Sequence, residues 1–205
     1  MSDSGTKYSF VVPRNDANLK DTWICQQGAP FGSFCVEQPE YAKQWDLNFK
    51  DFSGTVLEIG AGNGFMANHI LANNVVEYTI LDISGSIAQL VSSDHSLIKE
   101  CDQITYIDST NYKEIFSGSY DILISHQCLS ETPPYYYTGI WNNINTTNCF
   151  IIDNSADSRD SHYNDELKSW VENYFESIEG THRNYTVKGY HDKGIMVYIG
   201  KGKKP

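Results

Sequence analysis

One run constrains this chain more than any other: Val56-Leu-Glu-Ile-Gly-Ala-Gly-Asn-Gly-Phe65. It leaves an apolar, strand-like stretch, turns on glycines and enters a helical pattern over Asn63–Asn73. Strand, glycine turn and helix in that order open a parallel α/β sheet. Gly60 and Gly62 permit backbone angles and a close approach that a Cβ would obstruct. A helix starting near Asn63 would aim unpaired N–H groups at a bound carboxylate. The same turn suits a dinucleotide, so spacing must decide. A nicotinamide fingerprint needs its third glycine at position 65, where this chain has Phe65.

From Thr55 onward, β-rich runs alternate with helical segments. The pattern predicts strands at Thr55–Gly60, Val75–Leu81, Ile104–Ile107, Tyr120–Ile124 and Cys149–Ile152. Helices are predicted over Asn63–Asn73, Ser84–Lys99, Tyr112–Phe116 and Tyr136–Ile144. A longer helix is expected over Asp160–Ile178, with Leu167, Trp170, Val171, Tyr174, Phe175 and Ile178 at three- and four-residue spacings. Arg183–Tyr190 and Ile195–Ile199 then flank the turn-forming His191-Asp-Lys-Gly194, which predicts a closing antiparallel hairpin. Residues 1–50 read as an N-terminal cap or arm, loop followed by a short helix over Gln38–Asn48, and 51–205 as the main domain.

The 205 residues carry a formal charge of −11. That balance disfavours nucleic acid, whose nonspecific binding is mainly phosphate neutralisation by Lys and Arg. The basic cluster Lys201-Gly-Lys-Lys-Pro205 reads as a solvated terminus. No apolar run approaches the roughly 20 residues of a membrane span, and the first residues lack the apolar core of a secretory leader. Cys25, Cys35, Cys101, Cys128 and Cys149 form no Cys-x-x-Cys pair and read as reduced thiols, so a cytoplasmic location is expected.

The glycine run resembles the first motif of class I S-adenosylmethionine-dependent methyltransferases, an acidic residue followed by Gly-x-Gly-x-Gly, here Glu58, Gly60, Gly62 and Gly64. The resemblance implies that this loop, Ala61 included, wraps the methionine moiety. Glu58 would hold the loop or, through water, the ammonium group. Asp82 lies 20 residues after Gly62, where an acidic side chain can accept both ribose hydroxyls. By resemblance Ile83 packs on adenine, and Asp108 and Ser109 contact its amino group. The implied fold is a three-layer, Rossmann-like methyltransferase fold: α/β, a mostly parallel seven-stranded sheet ending in an antiparallel hairpin. The implied cofactor is S-adenosylmethionine, leaving S-adenosylhomocysteine as product.

Ligands of open α/β sheets sit beyond the carboxyl ends of the strands, here Ser125–Glu131 and Asp153–Asp157. Ser125 is expected at the cofactor. His126 is the candidate general base, since its unperturbed pKa of about 6.5 leaves much of it neutral near pH 7; Glu131 could orient it or replace it. Asp153 and Asn154 invite comparison with metal-dependent O-methyltransferases such as catechol O-methyltransferase. His126 stands where those enzymes place an Asp, however, and magnesium prefers oxygen, so no metal is expected and the pair is assigned to the acceptor pocket or a loop cap. Tyr135 and Tyr136 are expected to line that pocket, with Tyr137 and Trp141 in the packing.

The expected activity is methylation of a small molecule, favouring O-methylation of a sugar or other hydroxylated acceptor. N-methylation of a small molecule or protein side chain is the alternative enzyme reading, and a methyltransferase-like binding or scaffold protein the non-enzyme one. An aminopropyl transferase would need an acidic polyamine loop after the fourth strand, which Ser125–Glu131 supplies poorly.

Overall fold

The computed structural model describes residues 48–49, 51–62, 64–71, 74–92, 103–126, 128–129, 139–140, 142–154, 161–185 and 193–205. The chain runs β1 (Ser53–Ile59), α1 (Phe65–Ile70), β2 (Asn74–Asp82), α2 (Ser84–Ser92), β3 (Ile104–Asp108), a 3₁₀ segment (Ser109–Ser117) and β4 (Tyr120–His126). It continues through β5 (Thr146–Asn154), α3 (Ser161–Tyr174), β6 (Phe175–Tyr185) and β7 (Lys193–Lys203). These seven strands form one sheet in the order β3-β2-β1-β4-β5-β7-β6. The first five are mutually parallel, and β7 lies antiparallel between β5 and β6. The order reverses between β1 and β4, where an open α/β sheet leaves a crevice beyond its strand ends.

Consecutive apolar residues on the central strands explain the three layers, because alternate side chains point to opposite faces. Val56, Tyr78, Ile80, Ile122, Ile124, Phe150 and Ile199 bury one face with Met66, Ala67 and Ile70 of α1, Leu90 of α2 and Phe49. Leu57, Leu81, Ile107, Leu123, Cys149, Ile151 and Tyr198 bury the other with Ile115, Ile140, Leu167, Val171 and Phe175. Phe49 meets Phe150 edge-on at 5.9 Å between ring centroids, so the residues just before β1 are part of this packing. The rest of the expected cap, including positions 38–47 of its helix, lies outside the described residues.

Several boundaries correct the sequence reading. The helix expected to reach Ile178 ends at Tyr174, and the chain turns extended at Phe175 to pair Phe175 with Lys203. The first hairpin strand therefore starts eight residues before Arg183. Phe175 stays buried among Trp170 and Tyr174, with centroids 5.4 and 4.9 Å away, so its apolar spacing serves strand and helix alike. The helix expected over Tyr112–Phe116 is present as part of the longer 3₁₀ segment. The first helix starts at Phe65, two residues later than expected. Beyond Ser92, the remainder of the helix expected to Lys99 is outside the described residues.

The basic terminus is the end of β7 rather than a free tail. Lys201 Nζ donates to Asn48 Oδ1 at 3.0 Å, Lys203 Nζ to Asn145 Oδ1 at 3.0 Å and Lys204 Nζ to the Glu172 carbonyl at 2.6 Å. Each ammonium thus joins β7 or the residue after it to another segment of the fold. Cys128 and Cys149 are buried, and burial raises the Cys149 pKa. No helix among the described residues is long and apolar enough to cross a membrane.

Gly200 marks the tightest point of the β5-β7-β6 junction. A Cβ there would stand 2.5 Å from the Phe175 ring and 2.9 Å from Cys149 Sγ. Because Phe175 is held by its aromatic neighbours, Gly200→Ala should destabilise the fold by about 1–3 kcal/mol. Urea unfolding of the variant checks this, and unchanged stability would show that the junction has slack.

Candidate functional site

The carboxyl ends of β1, β2, β3 and β4 meet on one edge of the sheet. Their register places Ile59 opposite both Leu81 and Ser125, and Asp82 opposite Asp108. The glycine turn leaving β1 rises between β2 and β4. Gly60, Gly62 and Gly64 hold φ of 77°, 54° and 79°, the left-handed region that Gly adopts without a Cβ penalty. Gly60 is also closed by sterics, since its Cβ would overlap Cys128 Cβ and Sγ. At Gly62 a Cβ would meet nothing within 4 Å among the described residues. The turn therefore packs on the protein at its first glycine and, among the described residues, meets none at its second.

Three backbone donors of this turn are used internally. Gly60 N–H donates to the Leu81 carbonyl at 2.9 Å, Gly64 N–H to the Ala61 carbonyl at 2.9 Å, and Gly62 N–H to Asp82 Oδ2 at 2.9 Å. Asp82 Oδ1 accepts Ile83 N–H at 2.7 Å. The carboxylate expected to read a ribose thus also fixes the turn, and each of its oxygens keeps a second lone pair. Asp82 is 3% exposed. Burial raises its pKa to about 6, against the opposing pull of the two backbone N–H groups. It remains mostly ionised at pH 7.

Glu58 is 1% exposed on the face of β1 that carries Val56. Its Oε2 accepts the Tyr78 hydroxyl at 2.7 Å, inside the core. Burial pushes the Glu58 pKa to about 8, the Tyr78 hydrogen bond opposing and the Asp82 charge adding to the rise. The Tyr78 pKa rises as well, through burial first and then the Glu58 charge. The sequence reading missed Tyr78, whose signal was a tyrosine two residues before Ile80, the residue paired with Glu58.

Asp108 at the end of β3 caps the 3₁₀ segment. Its Oδ1 accepts Thr110 N–H at 2.8 Å and Thr110 Oγ1–H at 2.6 Å, while its Oδ2 accepts the Ser84 hydroxyl. These donors outweigh partial burial and lower its pKa. The Ser84–Asp108 contact latches the start of α2 to the end of β3, joining the two segments on either side of the expected adenine position. Ser109 begins the 3₁₀ segment, and Ile83, expected to pack on adenine, is 6% exposed. Ser125 is fully buried and its Oγ donates to the Ile59 carbonyl at 3.1 Å, tying β4 to β1 beneath the turn.

His126 ends β4, its backbone paired with Ile152, and Asp153 and Asn154 end β5, paired with Met196 and Ile195. The sheet thus places these three positions at the same edge as the glycine turn. Glu131, Tyr135 and Tyr136 lie outside the described residues.

No family model matches the chain, and neither does any curated protein. Solved structures do match it. A DhpI–SAH complex is 14% identical, with 98% of this chain and 99% of that one covered, at a TM-score of 0.56. An O-methyltransferase family protein from Burkholderia thailandensis is 11% identical, covering 91% of this chain and 62% of that one, at 0.60. A Haemonchus contortus phosphoethanolamine N-methyltransferase 2 is 10% identical, covering 93% and 61%, at 0.59. The fold is that of the class I, Rossmann-like S-adenosylmethionine-dependent methyltransferases. The antiparallel β7 inserted before β6 separates it from the all-parallel nicotinamide sheet.

The Glu58 pKa has a testable sign. Between 4.5 and about 8 the folded chain holds a proton on Glu58 that the unfolded chain has released, so stability falls as pH rises through this window. Asp82 acts in the same direction, but only between 3.8 and about 6. From pH 6 to 8, Glu58→Gln should therefore flatten the decline of unfolding free energy, by up to about 1.4 kcal/mol per pH unit. Urea titrations across that range measure it, and parallel slopes for variant and parent would contradict the assignment.

Proposed function

We propose that this chain is an S-adenosylmethionine-dependent methyltransferase acting on a small molecule, by O-methylation of a sugar or other hydroxylated acceptor. The observation that carries the cofactor is the pairing of Asp82 with Gly62. One buried carboxylate holds a glycine turn whose second glycine has no neighbour among the described residues in the direction of a Cβ, with lone pairs remaining for hydroxyl donors. A Cβ-free cradle beside an acceptor at the end of β2 fits a nucleoside joined to an amino acid. Gly60, Ala61, Gly62 and Gly64 would border the amino-acid portion, Asp82 would take the ribose hydroxyls, and Ile83, Asp108 and Ser109 would flank the base. The formal charge of −11 suits a cationic ligand.

Bound there, S-adenosylmethionine supplies an electrophilic methyl group on a sulfonium. The chain's task is to align an acceptor with that methyl and remove the acceptor's proton. His126, at the end of β4 beside the turn, is proposed as the base. It would take the proton of the acceptor hydroxyl as that oxygen attacks the methyl group, which would leave the sulfonium as a neutral thioether. Glu131 orients it, while Tyr135, Tyr136, Asp153 and Asn154 shape the acceptor pocket. No metal is assigned to this step, and the reading places the reaction in the cytoplasm.

The test is transfer of a labelled methyl group from S-adenosylmethionine to a panel of sugars, other hydroxylated compounds and amines. Label should enter a hydroxylated acceptor, and His126→Gln should lower kcat by about 10²–10⁴-fold while the affinity for S-adenosylhomocysteine stays within a few-fold. Transfer to an amine that survives His126→Gln would replace the proposal with N-methylation. Binding of the nucleoside without transfer to any acceptor would favour a binding protein.

A further inference from the structure

Ser86 lies in the first turn of α2, four residues after Asp82. It is 2% exposed, and its Oγ is the one buried side-chain nitrogen or oxygen without a hydrogen-bond partner among the described residues. Folded proteins rarely leave a hydroxyl sealed and unpaired, so such a group calls for a reason. The reason stands beside it. Two of the four lone-pair sites of the Asp82 carboxylate accept Gly62 N–H and Ile83 N–H, and two remain. Turned toward that carboxylate, the Ser86 hydroxyl would favour the ionised form of Asp82, against the dominant effect of burial.

We propose that Ser86 is a positioning residue of the nucleoside site, its hydroxyl turning to the Asp82 carboxylate and keeping it charged and oriented until ribose hydroxyls arrive. This assignment rests on the nucleoside reading given above. The surroundings of Asp82 make such a donor valuable. Asp108 at the end of β3 is the carboxylate whose charge acts on Asp82, while Glu58 on β1, its own pKa pushed up to about 8, stays protonated as Asp82 titrates. Among the described residues, the turn after β1 contributes the Gly62 N–H and the residue after β2 the Ile83 N–H. Among the groups acting on Asp82, Ser86 is thus the side-chain donor opposing burial and the Asp108 charge. A ribose hydroxyl, able to donate to the same carboxylate, would take over its role in the complex.

Two readouts test the assignment. In the ligand-free protein, the Asp82 carboxyl carbon is titrated by NMR. Ser86→Ala should move its midpoint upward by about one pH unit, the worth of one hydrogen bond, and Ser86→Thr should restore it. Calorimetric titration with S-adenosylhomocysteine should then show the acid limb of binding moving with that midpoint. Affinity should fall about tenfold on the acid side of the limb, while remaining within about twofold at pH 8, where Asp82 is ionised in both proteins. If Ser86→Ala folds poorly, Ser86→Cys keeps the size and weakens the donor. An unmoved Asp82 midpoint, or a loss of affinity equal at every pH, overturns the assignment of Ser86. Failure of the parent protein to bind S-adenosylhomocysteine at any pH would instead overturn the nucleoside reading on which it rests.

Discussion

The Asp82 carboxylate is the point on which the candidate site depends. A buried acid between Gly62 N–H and Ile83 N–H joins the turn after β1 to the loop after β2, so the positions that flank a ligand are fixed before it arrives. Burial disfavours the charge and the two N–H groups oppose that effect, leaving the pKa at about 6. The carboxylate is thus both brace and acceptor. The glycine turn needs the brace because its residues sit at positive φ and Gly62 has no described neighbour in the direction a Cβ would take.

Around that brace the sheet is buried on both faces, and among the described residues every buried side-chain nitrogen or oxygen except Ser86 Oγ has a hydrogen-bond partner. Glu58 finds Tyr78, Ser125 finds the Ile59 carbonyl, and Asp108 joins Ser84 to Thr110. Each of these contacts ties one strand end to its neighbour on the side where the turn emerges. Toward the far edge, β7 packs closely between β5 and β6 at Gly200, and the terminal lysines hold its end to Asn48, Asn145 and α3. The site end is organised by polar contacts between strand ends, while the closing edge combines aromatic packing with ammonium contacts.

The sequence made the sheet legible because both faces are covered: unbroken apolar runs such as Ile122–Ile124 have few other uses. The glycine turn and Asp82 were legible for the same reason, as local signals at fixed spacing. Two kinds of feature escaped. The end of α3 was misplaced because Phe175 lies at helical spacing from Val171 yet is buried equally well as the first residue of a strand. The pairs Glu58–Tyr78 and Ser84–Asp108 join residues 20 and 24 apart, and only strand register brings them together. The lysine cluster is exposed, as its charge implied, but charge alone does not reveal that β7 continues through it. For His126, Asp153 and Asn154, the sheet fixes backbone position at the proposed acceptor side, and their chemistry remains the proposal made from the sequence.

The central claim is that the Asp82-braced turn is a nucleoside site for a sulfur-linked amino acid rather than for a dinucleotide. Isothermal titration calorimetry of the parent chain and Asp82→Asn with S-adenosylhomocysteine and with NAD tests it most directly. The account predicts saturable binding of S-adenosylhomocysteine, weakened by about tenfold or more in Asp82→Asn as a charge-assisted hydrogen bond is lost, and no binding of NAD. Binding of NAD in preference to S-adenosylhomocysteine, or equal affinity of parent and variant for S-adenosylhomocysteine, would contradict it.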